Sequence, residues 1–112
     1  SIGDTRASSG SGGGISIRNF RGVQVANNYL DTCYKYAIIC HNGTVDSVLY
    51  GTITGNTIDA TQTIGGVAKD IFVSTRVALQ ITGNFAQGNG DGFSQAGGPT
   101  YVTTFSNNYL YS

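Results

Sequence analysis

The chain has 112 residues, a formal net charge of zero at pH 7 and only 11% Asp, Glu, Lys and Arg. This length suits one domain rather than two with independent cores; no basic stripe marks a nucleic-acid partner, and no apolar run is long enough to insert across a bilayer. Seventeen glycines, with Thr, Ser and Asn filling much of the remainder, favour short strands and tight turns over helices.

The chain opens on Ser and contains no Met, as expected of a mature or excised piece, and no signal peptide is visible. Residues 1–14, ending in "SSGSGGG", read as a flexible Gly/Ser-rich lead-in, and residues 15–112 as the folded domain. "ISIRNF" at 15–20 begins a partial repeat unit, and further strands are expected at "YKYAIIC" (34–40), "DSVLY" (46–50), "DIFVS" (70–74) and "TYVTTF" (100–105). If "CYKYAIIC" were one strand, Cys33 and Cys40 would point to opposite faces, so two thiols are expected rather than a bridge, with Cys40 the buried one. With His41 they fall short of a zinc ligand set, and no metal or other cofactor is expected. "GNGDGF" at 88–93 has a faint likeness to calcium-binding glycine-rich repeats, but a single copy reads as a long turn.

Four segments align with one another: "VQVANNYLD" at 23–31, "GTITGNTID" at 51–59, "LQITGNFAQ" at 79–87 and "TTFSNNYLY" at 103–111. Their shared residues Asn28, Asn56, Asn84 and Asn108 are spaced 28, 28 and 24 apart. Three positions before each Asn stand Val25, Ile53, Ile81 and Phe105, and two after it stand Leu30, Ile58, Ala86 and Leu110; both columns are apolar and should face a core. Immediately before it stand Asn27, Gly55, Gly83 and Asn107, the residue types that tolerate positive φ, so a turn is expected at each. Stacking of the repeats would bring the Asn amides within hydrogen-bonding distance along a column, at the strand spacing of roughly 4.8 Å. About three short parallel strands per 28-residue repeat describe an all-β solenoid of roughly four rounds. A leucine-rich repeat also matches V-x-V-x-x-N-x-L at 23–30, but the chain has only four Leu and its intervals lack a helical period.

The "ITGNTI" pattern with Asn at a corner resembles the right-handed parallel β-helix of the pectate-lyase-like superfamily, over residues 15–112. That superfamily includes polysaccharide lyases, glycosidases and phage tailspikes, and the polar, lysine-poor repeats are most similar to the tailspikes. The resemblance implies a fragment that recognises, and could hydrolyse, bacterial surface polysaccharide, located on a virion tail or otherwise outside the cell. It also implies a homotrimer, because so short a solenoid leaves unpaired strand edges that need cover. The alternatives are a structural stem or trimerisation module without ligand, and part of a secreted polysaccharide lyase.

Strand alternation places the residues one and three after each Asn outward. The first outward column is Tyr29, Thr57, Phe85 and Tyr109, and the second is Asp31, Asp59, Gln87 and Tyr111. Aromatic rings beside carboxylates suit a glycan, which makes Tyr29, Phe85, Gln87, Tyr109 and Tyr111 candidate glycan contacts. Asp31 and Asp59 on neighbouring strands would lie about 5 Å apart, close to the separation of a retaining glycosidase's acid and nucleophile, and form the candidate catalytic pair. Both columns also have structural readings: Asp closes turns through its own backbone, and exposed aromatics line protein interfaces.

Overall fold

The computed structural model describes residues 14–18, 22–41, 49–63, 65–74, 77–87, 91–96 and 101–110. Its elements are all strands: β1 (Ile15–Arg18), β2 (Gly22–Ala26), β3 (Tyr29–Tyr34), β4 (Tyr36–His41), β5 (Leu49–Thr54), β6 (Thr57–Gln62), β7 (Lys69–Ser74), β8 (Val77–Thr82), β9 (Phe85–Gln87), β10 (Asp91–Ala96), β11 (Tyr101–Ser106) and β12 (Tyr109–Leu110). Every third strand joins the same sheet, giving three parallel four-stranded sheets: β1-β4-β7-β10, β2-β5-β8-β11 and β3-β6-β9-β12. The chain visits the three sheets in turn, so each round contributes one strand to each. A helix-containing repeat is excluded for the described residues.

Register aligns the repeats as their sequences do. Val25 pairs with Ile53 and Ile53 with Ile81, while Leu30 pairs with Ile58 and Ile58 with Ala86. These residues are buried and join Ile38, Ile71, Val73 and Leu79 in one core shared by all three sheets. β-branched and aliphatic side chains suit such a core because they fill the pleated inner surface in restricted rotamers.

The corners between β2 and β3, β5 and β6, β8 and β9, and β11 and β12 carry the Asn column. Asn28 Nδ2 donates to Asn56 Oδ1 at 3.0 Å, Asn56 Nδ2 to Asn84 Oδ1 at 2.9 Å, and Asn84 Nδ2 to Asn108 Oδ1 at 2.9 Å. Each of these oxygens also accepts the backbone N–H of the preceding Asn at 3.0 Å. The remaining amide hydrogens reach back to the carbonyls of Val25, Ile53 and Ile81. A buried amide is thus fully partnered, which removes the cost of enclosing it. The residue before each Asn has positive φ, 57° at Asn27, 68° at Gly55, 67° at Gly83 and 57° at Asn107, so the turn expected from residue type occurs in all four rounds.

Two expectations from the sequence need correction. "CYKYAIIC" is not one strand: Lys35, at φ 72°, divides β3 from β4 and resets the alternation, so Cys33 and Cys40 both point inward as buried thiols. Burial pushes the Cys40 thiol up to about 12, which leaves it unreactive. "GNGDGF" is not wholly a turn, because residues 91–93 open β10 and pair in parallel with β7. Gly92 lies buried there, and a Cβ on it would meet Leu110 Cβ at 2.7 Å, so close packing rather than turn chemistry places this glycine. Asp91 forms an ion pair with Lys69 at 2.5 Å on the outside of the same sheet. Residues 88–90 and Asp46 lie outside the described residues.

Candidate functional site

The outward face of the β3-β6-β9-β12 sheet collects the residues that the repeat predicts together. Tyr29 pairs with Thr57, Thr57 with Phe85 and Phe85 with Tyr109, so these side chains form one column across four strands. Asp31 pairs with Asp59, and Asp59 with Gln87, to form the second. Tyr111 lies outside the described residues. The rings are open to solvent, at 45% for Tyr29, 41% for Phe85 and 55% for Tyr109.

Local chemistry ties the two columns together. Tyr29 Oη donates to Asp59 Oδ2 at 3.0 Å, reaching diagonally from one strand to the next. The hydrogen bond to Asp59 and its charge, then desolvation and the charge of Asp31, raise the Tyr29 phenol above its ordinary value, which is consistent with its role as a donor to Asp59. Thr32 Oγ1 donates to Asp31 Oδ1 at 2.9 Å; Thr32 itself sits at φ 53°, an uncommon conformation for a β-branched residue, and it turns its hydroxyl toward the neighbouring carboxylate. Phe85 and Tyr109 stack at 5.1 Å between centroids with planes 13° apart, each covering one face of the other.

This surface offers hydroxyl-accepting carboxylates and an amide on three successive strands, beside ring faces on three of the four. Neighbouring strands of one sheet stand about 4.8 Å apart, so Asp31 and Asp59 are as close as their pairing requires. Each carboxylate already accepts a hydrogen bond from a neighbouring hydroxyl. Among the described residues no cluster of three or more His, Cys, Asp or Glu could hold a metal ion.

The carboxyl group most strongly altered by its surroundings lies elsewhere. Asp70, on β7, is fully buried where this strand meets β6; Thr61 Oγ1 donates to its Oδ1 at 2.6 Å, while Oδ2 has no partner. Desolvation pushes its carboxyl from 3.8 up to about 6, opposed by the Thr61 hydrogen bond and assisted by the charge of Asp91. The sequence places Asp70 at the opening of a strand but gives no sign of its burial; only the register, which sets Asp70 between the small residues Ala37 and Gly92, brings it inside.

Comparison with family models, with curated proteins and with solved structures returned no match.

Proposed function

We propose that the three parallel sheets form a right-handed parallel β-helix of the pectate-lyase-like kind, and that its β3-β6-β9-β12 face binds bacterial surface polysaccharide as part of a tailspike-like protein outside the cell. The observation that carries this reading is the register of Tyr29, Phe85 and Tyr109 beside Asp31, Asp59 and Gln87 on one exposed face. Ring faces take the apolar faces of sugars, while carboxylates and the Gln amide take hydroxyls; the rings stand on β3, β9 and β12 with Thr57 between them on β6, and the polar groups on the successive strands β3, β6 and β9. A polymer with repeating polar groups is the natural complement of such a row. Asp31 and Asp59 contribute first as hydroxyl acceptors; hydrolysis by the pair, with one acting as acid and the other as nucleophile, is a separate part of the proposal.

Titration of the chain with bacterial capsular and O-antigen polysaccharides, followed by calorimetry, tests recognition. Saturable binding is expected, weakened about two- to tenfold by Tyr29→Ala or Tyr109→Ala, since losing a ring contact costs about 0.5–1.5 kcal/mol. Retention of full affinity by both variants would reject this face as the site. Reducing-end release from a bound polysaccharide tests cleavage: Asp31→Asn and Asp59→Asn should each abolish it, and unchanged release in both would exclude the pair as catalytic groups.

A further inference from the structure

The strands of the proposed glycan face carry charge of one sign only. β3, β6, β9 and β12 read "YLDTCY", "TIDATQ", "FAQ" and "YL", with two aspartates and no Lys, Arg or His. Asp31 and Asp59 are partners in register on neighbouring strands, so two carboxylates stand side by side on one outward face. The described cations lie elsewhere: Lys69 pairs with Asp91 on β7 and β10, Arg18 is on β1, and Lys35, at the corner after β3, holds its Nζ 5.4 Å from the centre of the Tyr36 ring. Each of the two carboxylates accepts one hydroxyl, from Thr32 or from Tyr29, and with about four lone-pair sites it keeps room for more. Tyr29 stands two residues from Asp31 on the same face, about 7 Å along the strand, so a sugar stacked on the aromatic column lies beside the carboxylates.

We propose that the polymer this face takes is a polysaccharide bearing free amino groups, of the kind made by partial de-N-acetylation of a hexosamine polymer; the proposal rests on the glycan reading of the same face. A carboxylate only accepts hydrogen bonds, so the polymer has to bring the donors. A hydroxyl does this, and an ammonium does it with charge, which makes the bond shorter and roughly twice as strong. An ammonium set between Asp31 and Asp59 also relieves the repulsion of two like charges on neighbouring strands. The exposed rings of Tyr29, Phe85 and Tyr109 occupy a different position of the repeat and favour the same ligand, because an aromatic face attracts a cation. A uronic-acid polymer meets the reverse: its carboxylates need cationic N–H donors, which none of these four strands supplies, and they face like charge. The competing explanation is that stacking of repeats merely sets two solvated aspartates side by side.

Calorimetry on the full chain, in mildly acidic low-salt buffer that keeps the amines protonated, decides between them with three oligosaccharides of equal length: poly-N-acetylglucosamine, the same oligosaccharide after de-N-acetylation, and oligogalacturonate. The de-N-acetylated form should bind about two- to tenfold more tightly than the acetylated one, as one or two exposed charge pairs allow, and the uronate most weakly. Salt at about 1 M, where the Debye length is about 3 Å, should shrink that preference. The double variant Asp31→Asn, Asp59→Asn should remove most of it, whereas Tyr109→Ala should weaken binding of both forms. Equal affinity for the two forms, with both weakened by Tyr109→Ala, would overturn the amine proposal and leave the glycan face standing. A preference that survived the double variant would overturn the assignment to these carboxylates, and uronate binding as tight as that of the amine form, with or without added calcium, would overturn it too. Absence of saturable binding to all three would also overturn it, while the glycan face itself would still stand or fall on the capsular and O-antigen titration.

Discussion

Asn56 and Asn84 have partners on both sides, whereas Asn28 has a neighbour on one side and turns its second amide hydrogen back to the Ala26 carbonyl. Asn56→Ala would strand the Asn28 backbone N–H and the Val25 carbonyl inside the structure, and a buried unsatisfied group costs about 1–3 kcal/mol. A loss of about 3–4 kcal/mol is therefore expected for Asn56→Ala in urea unfolding, against about 1 kcal/mol for Asn28→Ala. Equal losses would show that the column acts through packing rather than hydrogen bonds. Asp70 gives a second prediction at this scale. Its folded value, about 6, lies above the unfolded 3.8, so the native state holds the proton more tightly. Its contribution is fully present below pH 3.8 and is lost as pH rises through 6, a change of about 2–3 kcal/mol. Thermal unfolding between pH 3.5 and 7.5, with the acid and alkaline ends chosen to bracket both values, should show this decline, and Asp70→Asn should flatten it. An identical pH profile in the variant would assign the dependence to other groups.

Among the elements, the turns before the Asn column explain why Gly and Asn alternate there. The left-handed conformation costs an ordinary L residue about 1–2 kcal/mol, less for Asn, whose short polar side chain bonds locally. A Cβ on Gly83 would meet no atom closer than 3.9 Å, so Gly83→Ala should cost about 1 kcal/mol from backbone conformation alone. A Cβ on Gly55 would come within 2.5 Å of Asn27 Oδ1, the end of an exposed side chain that can swing aside, so Gly55→Ala should cost about as much as Gly83→Ala. Gly83→Asn should be nearly neutral, because Asn27 and Asn107 already occupy equivalent positions at φ 57°. Denaturant midpoints check this: both Ala variants should fall below Gly83→Asn, and equal midpoints for all three would show that the positive φ carries no cost at these turns. Strand boundaries away from these turns were less legible. Lys35 adopts positive φ without belonging to a residue type that favours it, and its turn is what places both cysteines inside.

For the whole molecule, the proposed glycan face and the core are different parts of the stack: the first runs along the outside of β3, β6, β9 and β12, and the second fills the inside of the three sheets. Tyr29→Ala should therefore lose polysaccharide affinity while keeping its urea midpoint, because the Tyr29 ring is open to solvent. Calorimetry and urea unfolding on the same protein test this separation, and a midpoint that falls with the affinity would assign Tyr29 to the support of the fold.

Spacing and residue type determined the repeat, the inward columns, the positive-φ turns and the two outward columns, because each depends on local geometry that recurs with the Asn. A strand's alternation assigns faces once its register is known, and the repeats supply that register. Tertiary structure alone decided that Asp70 is buried, that Gly92 lies within a strand and that Cys33 faces the core. Each depends on what another strand or turn brings alongside: Thr61 beside Asp70, Leu110 against Gly92, and the turn at Lys35 that redirects the chain after Cys33.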